Sequence, residues 1–103
     1  MSVLSAPQRV YLRSLARNLR PAAQVGKAGL EPGVIAHVRA LLERQELVKL
    51  RLLSSAGEDR RLAAQELAQA CKAEMVDLVG RSVVLYRPNR SLPAHRRVEL
   101  PRA

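Results

Sequence analysis

Met75-Val76-Asp77-Leu78-Val79-Gly80-Arg81-Ser82-Val83-Val84-Leu85-Tyr86-Arg87-Pro88 is the stretch that organises the rest of this chain. Met75–Val79 and Ser82–Tyr86 are two β-rich runs, and only Gly80 and Arg81 separate them. A two-residue connection with glycine first fits a type II′ hairpin, whose first central position needs positive φ. The second run is apolar on both faces, with Val83 and Leu85 on one and Val84 and Tyr86 on the other. Such a strand belongs in the middle of a sheet, with its second side covered in part by another element. Pro88 ends it, because proline cannot continue the ladder.

Working upstream, Asp59 is placed to cap a helix whose apolar positions are Leu62, Ala63, Leu67, Ala70 and Cys71. Ser54 to Glu58 reads as a turn. Leu47 to Leu53 alternates Val48, Leu50 and Leu52 with Lys49 and Arg51, a strand with one polar face. Before it, a helix opens at Pro32, ends near Gln45, and aligns Val34, Ile35, Val38, Leu41 and Leu42. Ala22 to Val25 is a short strand. The first helix starts at Ser5-Ala6-Pro7-Gln8, the spacing of a capping box, and runs to about Asn18. The order is α-β-α-β-α-β-β. One small mixed sheet with helices packed on it, an α/β single domain, is the economical solution. Residues 1–88 form the domain, and 89–103 are expected to be a basic tail ordered only in part.

The first helix carries two stripes. At ~100° per residue, Leu12, Leu15 and Leu19 lie within roughly 60° of one another, and Arg9, Arg13, Arg17 and Arg20 within roughly 80° on a separate arc. No acid lies nearby in sequence to relieve the repulsion of like charges, which costs a few tenths of a kcal/mol per pair. A solvated face usually mixes acids with bases, so an acid-free stripe points to an anionic ligand. Between the first strand and second helix stands Gly26-Lys27-Ala28-Gly29. Paired glycines permit a tight turn and close approach to the main chain. The helix that follows offers unpaired N–H groups and a positive dipole end, and Lys27 adds a cation.

The net charge of +9 is segregated: +5 over residues 1–30, −1 over 31–80 and +5 over 81–103. Such clustering suits a polyanion. Fifteen of the eighteen basic residues are Arg, which favours bidentate phosphate contact. A coding bias toward Arg would account for that preference but not for the segregation. Phe and Trp are absent, so Tyr11 and Tyr86 are the only aromatic candidates for base stacking, and both are expected to be half-buried. One cysteine, Cys71, gives neither an internal disulfide nor a metal framework, and its place on an apolar stripe makes it a core residue. His37 and His95 stand apart, and no carboxylates pair. A catalyst, a cofactor and a metal are not expected. No apolar run approaches the ~18 residues of a membrane span, and no signal-like segment opens the chain. A soluble cytoplasmic monomer without a small-molecule substrate is expected.

Several of these pieces, in this order, resemble the YhbY-like or CRM RNA-binding domain family. They are Leu4-Ser5 opening an Arg-rich helix that ends in Leu19-Arg20-Pro21; Val25-Gly26-Lys27-Ala28-Gly29-Leu30; Glu46-Leu47-Val48-Lys49-Leu50-Arg51; and Val79 to Pro88. Val98-Glu99-Leu100-Pro101 is similar to the family's closing segment. The resemblance implies a four-stranded sheet, similar in topology to the C-terminal domain of bacterial translation initiation factor three with an added N-terminal helix. It implies RNA as partner: structured 23S rRNA in precursors of the large ribosomal subunit, bound during ribosome assembly. It assigns RNA contact to Gly26, Lys27, Ala28 and Gly29, flanked by Arg9, Arg13, Arg17 and Arg20, and Arg87 from the closing motif completes the set. Pro32-Gly33 departs from the polar cap usual after the loop. Binding to double-stranded DNA is the alternative, with Gln8, Ser14 and Asn18 as the thin supply of base-readers on the first helix.

Overall fold

A computed structural model describes residues 4–26, 31–53 and 60–102. The elements are α1 (Ala6–Ala16), β1 (Ala23–Val25), α2 (Pro32–Arg44), β2 (Leu47–Leu52), α3 (Arg60–Ala70), β3 (Glu74–Val79), β4 (Ser82–Tyr86) and a 3₁₀ turn, Ala94–Arg96. The four strands form one mixed sheet in the order β1-β2-β4-β3. β1 runs parallel to β2, and the other two pairings are antiparallel. The expected element order holds throughout.

Local chemistry explains the boundaries. Ser5 Oγ accepts from the Gln8 N–H at 3.2 Å, and Gln8 Oε1 accepts from the Ser5 N–H at 3.0 Å, a closed capping box. α2 begins with Pro32 in its first turn. Gly80 sits at φ +57 while Arg81 is not in the positive-φ region, as a type II′ hairpin requires. α3 stops in a Schellman motif. The Ala73 N–H donates to the Ala68 carbonyl and the Lys72 N–H to that of Gln69, with Lys72 at φ 55 where glycine is usual.

Two cores flank the sheet. Val38 and Leu42 of α2 and Ala64, Leu67, Ala68 and Cys71 of α3 and its exit pack on Val48, Leu50, Leu52, Val83 and Leu85. On the opposite face Leu12 and Ala16 of α1 pack on Leu47, Val76, Val84 and Tyr86. β4 is therefore central and buried on both sides. A bulge between Met75 and Asp77 turns Val76 into the α1-side core while Met75 stays with the other.

The buried face of α3 differs from expectation. Leu62 is 52% exposed, and Ala64 and Ala68 take the core positions instead. Small side chains let the helix lie close to the sheet, which rotates the larger Leu62 outward. Tyr86 is buried rather than half-buried, and Tyr11 lies at the surface. The expected turn at Ser54–Glu58 and the Asp59 cap fall outside the described residues.

The segment after Pro88 is tied to the body by Glu46, a fully buried carboxylate between α2 and β2. It accepts from the Asn89 N–H at 2.6 Å, from the Val98 N–H at 2.5 Å and from Arg97 Nε at 3.2 Å. Asn89 Nδ2 donates to the Glu43 carbonyl. Val98 and Leu100 then close the edge of the α1-side core, and Gln8 Nε2 reaches the Pro101 carbonyl at 3.0 Å. Among the described residues, no helix is long and apolar enough to cross a membrane.

Candidate nucleic-acid interface

The amphipathicity of α1 sets the first part of the site. Burying Leu12 and Ala16 turns Arg13 and Arg17 outward, and Arg20 follows on the exposed exit toward β1. None of these three has an ion-pair partner among the described residues. Arg9 behaves differently. Its Nη1 donates to the Met75 carbonyl at 2.8 Å, and its Nη2 lies 3.4 Å from Glu74 Oε2. An acid distant in sequence thus relieves the stripe at its first member, contrary to the expectation of no relief. Arg9 fastens α1 to the β3 edge and leaves a stripe of three free guanidinium groups.

β1 links that stripe to the second part of the site. The Ala22 N–H donates to the Lys49 carbonyl, and the Leu53 N–H to that of Val25, so β1 is held at both ends. Arg20 precedes it and Gly26 ends it, six residues and at most ~20 Å of chain apart. Gly26 has ordinary negative φ, and a Cβ there would meet nothing within 4 Å. Its main chain is therefore open to approach. Lys27, Ala28 and Gly29 lie outside the described residues. On the far side, α2 begins without any side-chain cap, since the N-cap Glu31 makes no such hydrogen bond. Its first-turn N–H groups remain available, although the Glu31 charge opposes an anion there.

Arg87 is not brought together with the others. It follows Leu85 on the α2–α3 face, opposite α1, and lines a cavity of about 450 Å³ beside Leu42, Pro88 and Leu92. Its Nη1 is enclosed without a hydrogen-bond partner among the described residues. The base-readers thin out further. Gln8 is consumed by the capping box and Pro101, and Ser14 Oγ donates to the Tyr11 carbonyl at 2.7 Å. His37 and His95 are exposed and stand on different elements, α2 and the 3₁₀ turn. Among the described residues no cluster of His, Cys, Asp or Glu could hold a metal. Cys71 is fully buried, and burial pushes its thiol above the ordinary value against the opposing pull of Arg39 and Arg87. It is shielded as a nucleophile.

Fold and surface together define a small two-sided α/β module with one basic, acid-poor flank. The chain belongs to the CRS1 / YhbY (CRM) domain family, whose model matches residues 4–87. It is 32% identical over 99 residues to the Bacillus subtilis (strain 168) protein named "Probable RNA-binding protein YqeI", covering 96% of this chain and 100% of that one. It is also 32% identical over 102 residues to a Haemophilus influenzae protein named "RNA-binding protein", covering 99% of each. The solution structure of SAV1595 from Staphylococcus aureus superposes with a TM-score of 0.80 at 34% identity, covering 96% of this chain and 100% of that one.

Proposed function

We propose that this protein binds RNA, chiefly through the phosphate backbone, and that its target is structured 23S rRNA in large-subunit precursors during ribosome assembly. The observation that carries the reading is the trio Arg13, Arg17 and Arg20, exposed and without carboxylate partners among the described residues, along α1 and its exit, with the core on the helix's other face. Family membership and the names of the relatives support RNA as the polyanion. The Gly26-Lys27-Ala28-Gly29 segment, with the Lys27 cation, makes the second contact. Arg9 holds α1 in place beneath the stripe, and Arg87 on the opposite face would need a separate contact. The protein acts as a cytoplasmic monomer and does no chemistry on its partner. Engagement of Gln8 and Ser14 in local hydrogen bonds disfavours sequence reading in a DNA major groove.

The test is binding of 23S rRNA fragments by the Lys27→Ala, Arg13→Ala, Arg17→Ala triple variant across a salt series. Each lost phosphate contact lowers the slope of log K against log salt by about 0.7 on single strands or 0.9 on duplex. The expected loss is therefore about two to three in slope. An unchanged affinity and slope would sink the loop-and-stripe assignment, and stronger competition by duplex DNA than by rRNA at fixed salt would sink RNA as the target.

A further inference from the structure

α1 is too short to cover the whole of its sheet face. It lies over the end marked by Leu47, Val84 and Tyr86 and leaves the other end bare. The strand register defines what stands there. Gln24 pairs with Arg51, Arg51 with Ser82, and Ser82 with Val79. Paired residues share a face, so this row crosses all four strands on the α1 side. Gln24 and Arg51 are exposed and Val79 is 67% exposed, whereas Leu50 and Leu52 on the opposite face are 0% and 6%. The next row toward α1 holds Lys49, Val84 and Asp77. Arg81, whose carbonyl accepts the Leu52 N–H, follows the parity of Leu52 and belongs to the other side.

Neither Lys49 nor Arg51 is ion-paired among the described residues. Two acids of β3 share this side: Glu74, paired with Tyr86, is held by Arg9, and Asp77, whose Oδ1 accepts the Leu78 N–H, stands two strands from Lys49, ~10 Å away. The bare patch adjoins both parts of the site already described. Lys49 accepts from Ala22, just after the arginine stripe, and Arg51 lies one row from Val25 and Gly26.

We propose that this uncovered half of the sheet, with Lys49 and Arg51 as its cations and Gln24 and Ser82 as neutral donors, is a further RNA-backbone contact. It joins the α1 stripe to the Gly26 loop in one track. The inference rests on the RNA reading above. Lys49 and Arg51 are two residues apart on one strand, ~6.6 Å along it, a spacing compatible with successive phosphates of an RNA strand. The one tyrosine on this side, Tyr86, is buried under α1, and the uncovered rows have no aromatic side chain, so they grip phosphates rather than stack bases.

The lysines provide an internal test. There are three: Lys27 in the loop, Lys49 on the bare sheet, and Lys72 at the exit of α3, which packs on the opposite face. Lysine acylation of the intact protein is followed by mass spectrometry, without and with a 23S rRNA transcript ten times above its Kd. Occupancy is then about nine-tenths, so a covered lysine loses about ten-fold in reactivity. Lys49 should be protected together with Lys27, and Lys72 should stay reactive. In parallel, the Lys49→Thr, Arg51→Thr double variant should lose about 1.4 in salt slope, making its Kd about seven-fold less sensitive between 50 and 200 mM salt. The Arg39→Gln, Arg44→Gln control on α2 should keep the parent slope. Lys27 protected with Lys49 still reactive, or the double variant and control changing alike, overturns the sheet contact and leaves the RNA reading intact. No protection at either lysine means that the RNA reading itself has failed.

Discussion

Replacing Glu46 by Gln tests what holds the last segment of the chain to the domain. The carboxylate is fully buried and accepts three donors: the Asn89 and Val98 N–H groups and Arg97 Nε. Gln keeps the shape but offers one accepting oxygen and turns an NH₂ group toward a backbone N–H. One buried donor is then left unsatisfied, at about 1–3 kcal/mol, and the surviving bonds lose their charge assistance, worth about 1 kcal/mol more. The expected loss is about 3 kcal/mol. At about 4–8 °C per kcal/mol for a domain near this size, Tm falls by about 12–24 °C. Arg97→Gln should cost far less, about 1 kcal/mol at most, because that side chain is 35% exposed and water replaces what it loses. Urea denaturation gives the free energies, and amide exchange gives the location: the Asn89 and Val98 N–H groups should lose protection before the sheet does. A Glu46→Gln loss below about 1 kcal/mol, or an Arg97→Gln loss equal to it, would refute the reasoning.

Two further outcomes are expected. Lys72 holds a left-handed φ of 55 in the Schellman motif, so Lys72→Gly should stabilise the protein by about 1 kcal/mol; a denaturant midpoint that stays put or falls would count against that strain. Burial, then the neighbouring Glu46, holds the Tyr86 phenol above its ordinary value of 10.0, with Arg97 opposing. A raised acid favours the native state below the unfolded pKa and loses that advantage as pH climbs through the folded one. In a Tyr11→Phe protein, whose one phenol is Tyr86, ultraviolet titration of the native state should therefore show a midpoint above 10, with stability falling over the same alkaline range; a midpoint at or below 10 would contradict the burial of this group.

Features whose causes are local were legible in the sequence. The Ser5–Gln8 box, the Gly80-Arg81 turn and the two-faced β4 each depend on neighbours within a few residues, and each appears as expected. What was hidden depends on partners far along the chain. Glu46 reads as one acid before a strand, yet its donors lie 43 to 52 residues away. Arg9 reads as a stripe member until Glu74, 65 residues on, claims it. The α3 face was misread because Ala64 and Ala68 carry little hydropathic signal, while Leu62 carries much and is exposed. Of the candidate site, periodicity identified the stripe on α1, but alternation along β2 could not tell which neighbour covers its polar face. That Arg51 stands bare while Leu47 on the same face is buried depends on where α1 stops. Arg87 stands on the face opposite α1 by strand parity, following Val83 and Leu85.

The α1-side core is closed by residues from both ends of the described chain, with Gln8 and Pro101 in contact across 93 positions. At about 5–20 residues per second, a ribosome completes that partner roughly 5–20 s after making the helix. α1 lacks its sheet until β4 ends at Tyr86 and its closing segment until Pro101, and its arginines are made before either. The arginine stripe is thus made well before the segment that closes the core beneath its helix. Arg13 and Arg17 meet their surroundings as a nascent segment before they do so as part of a finished fold.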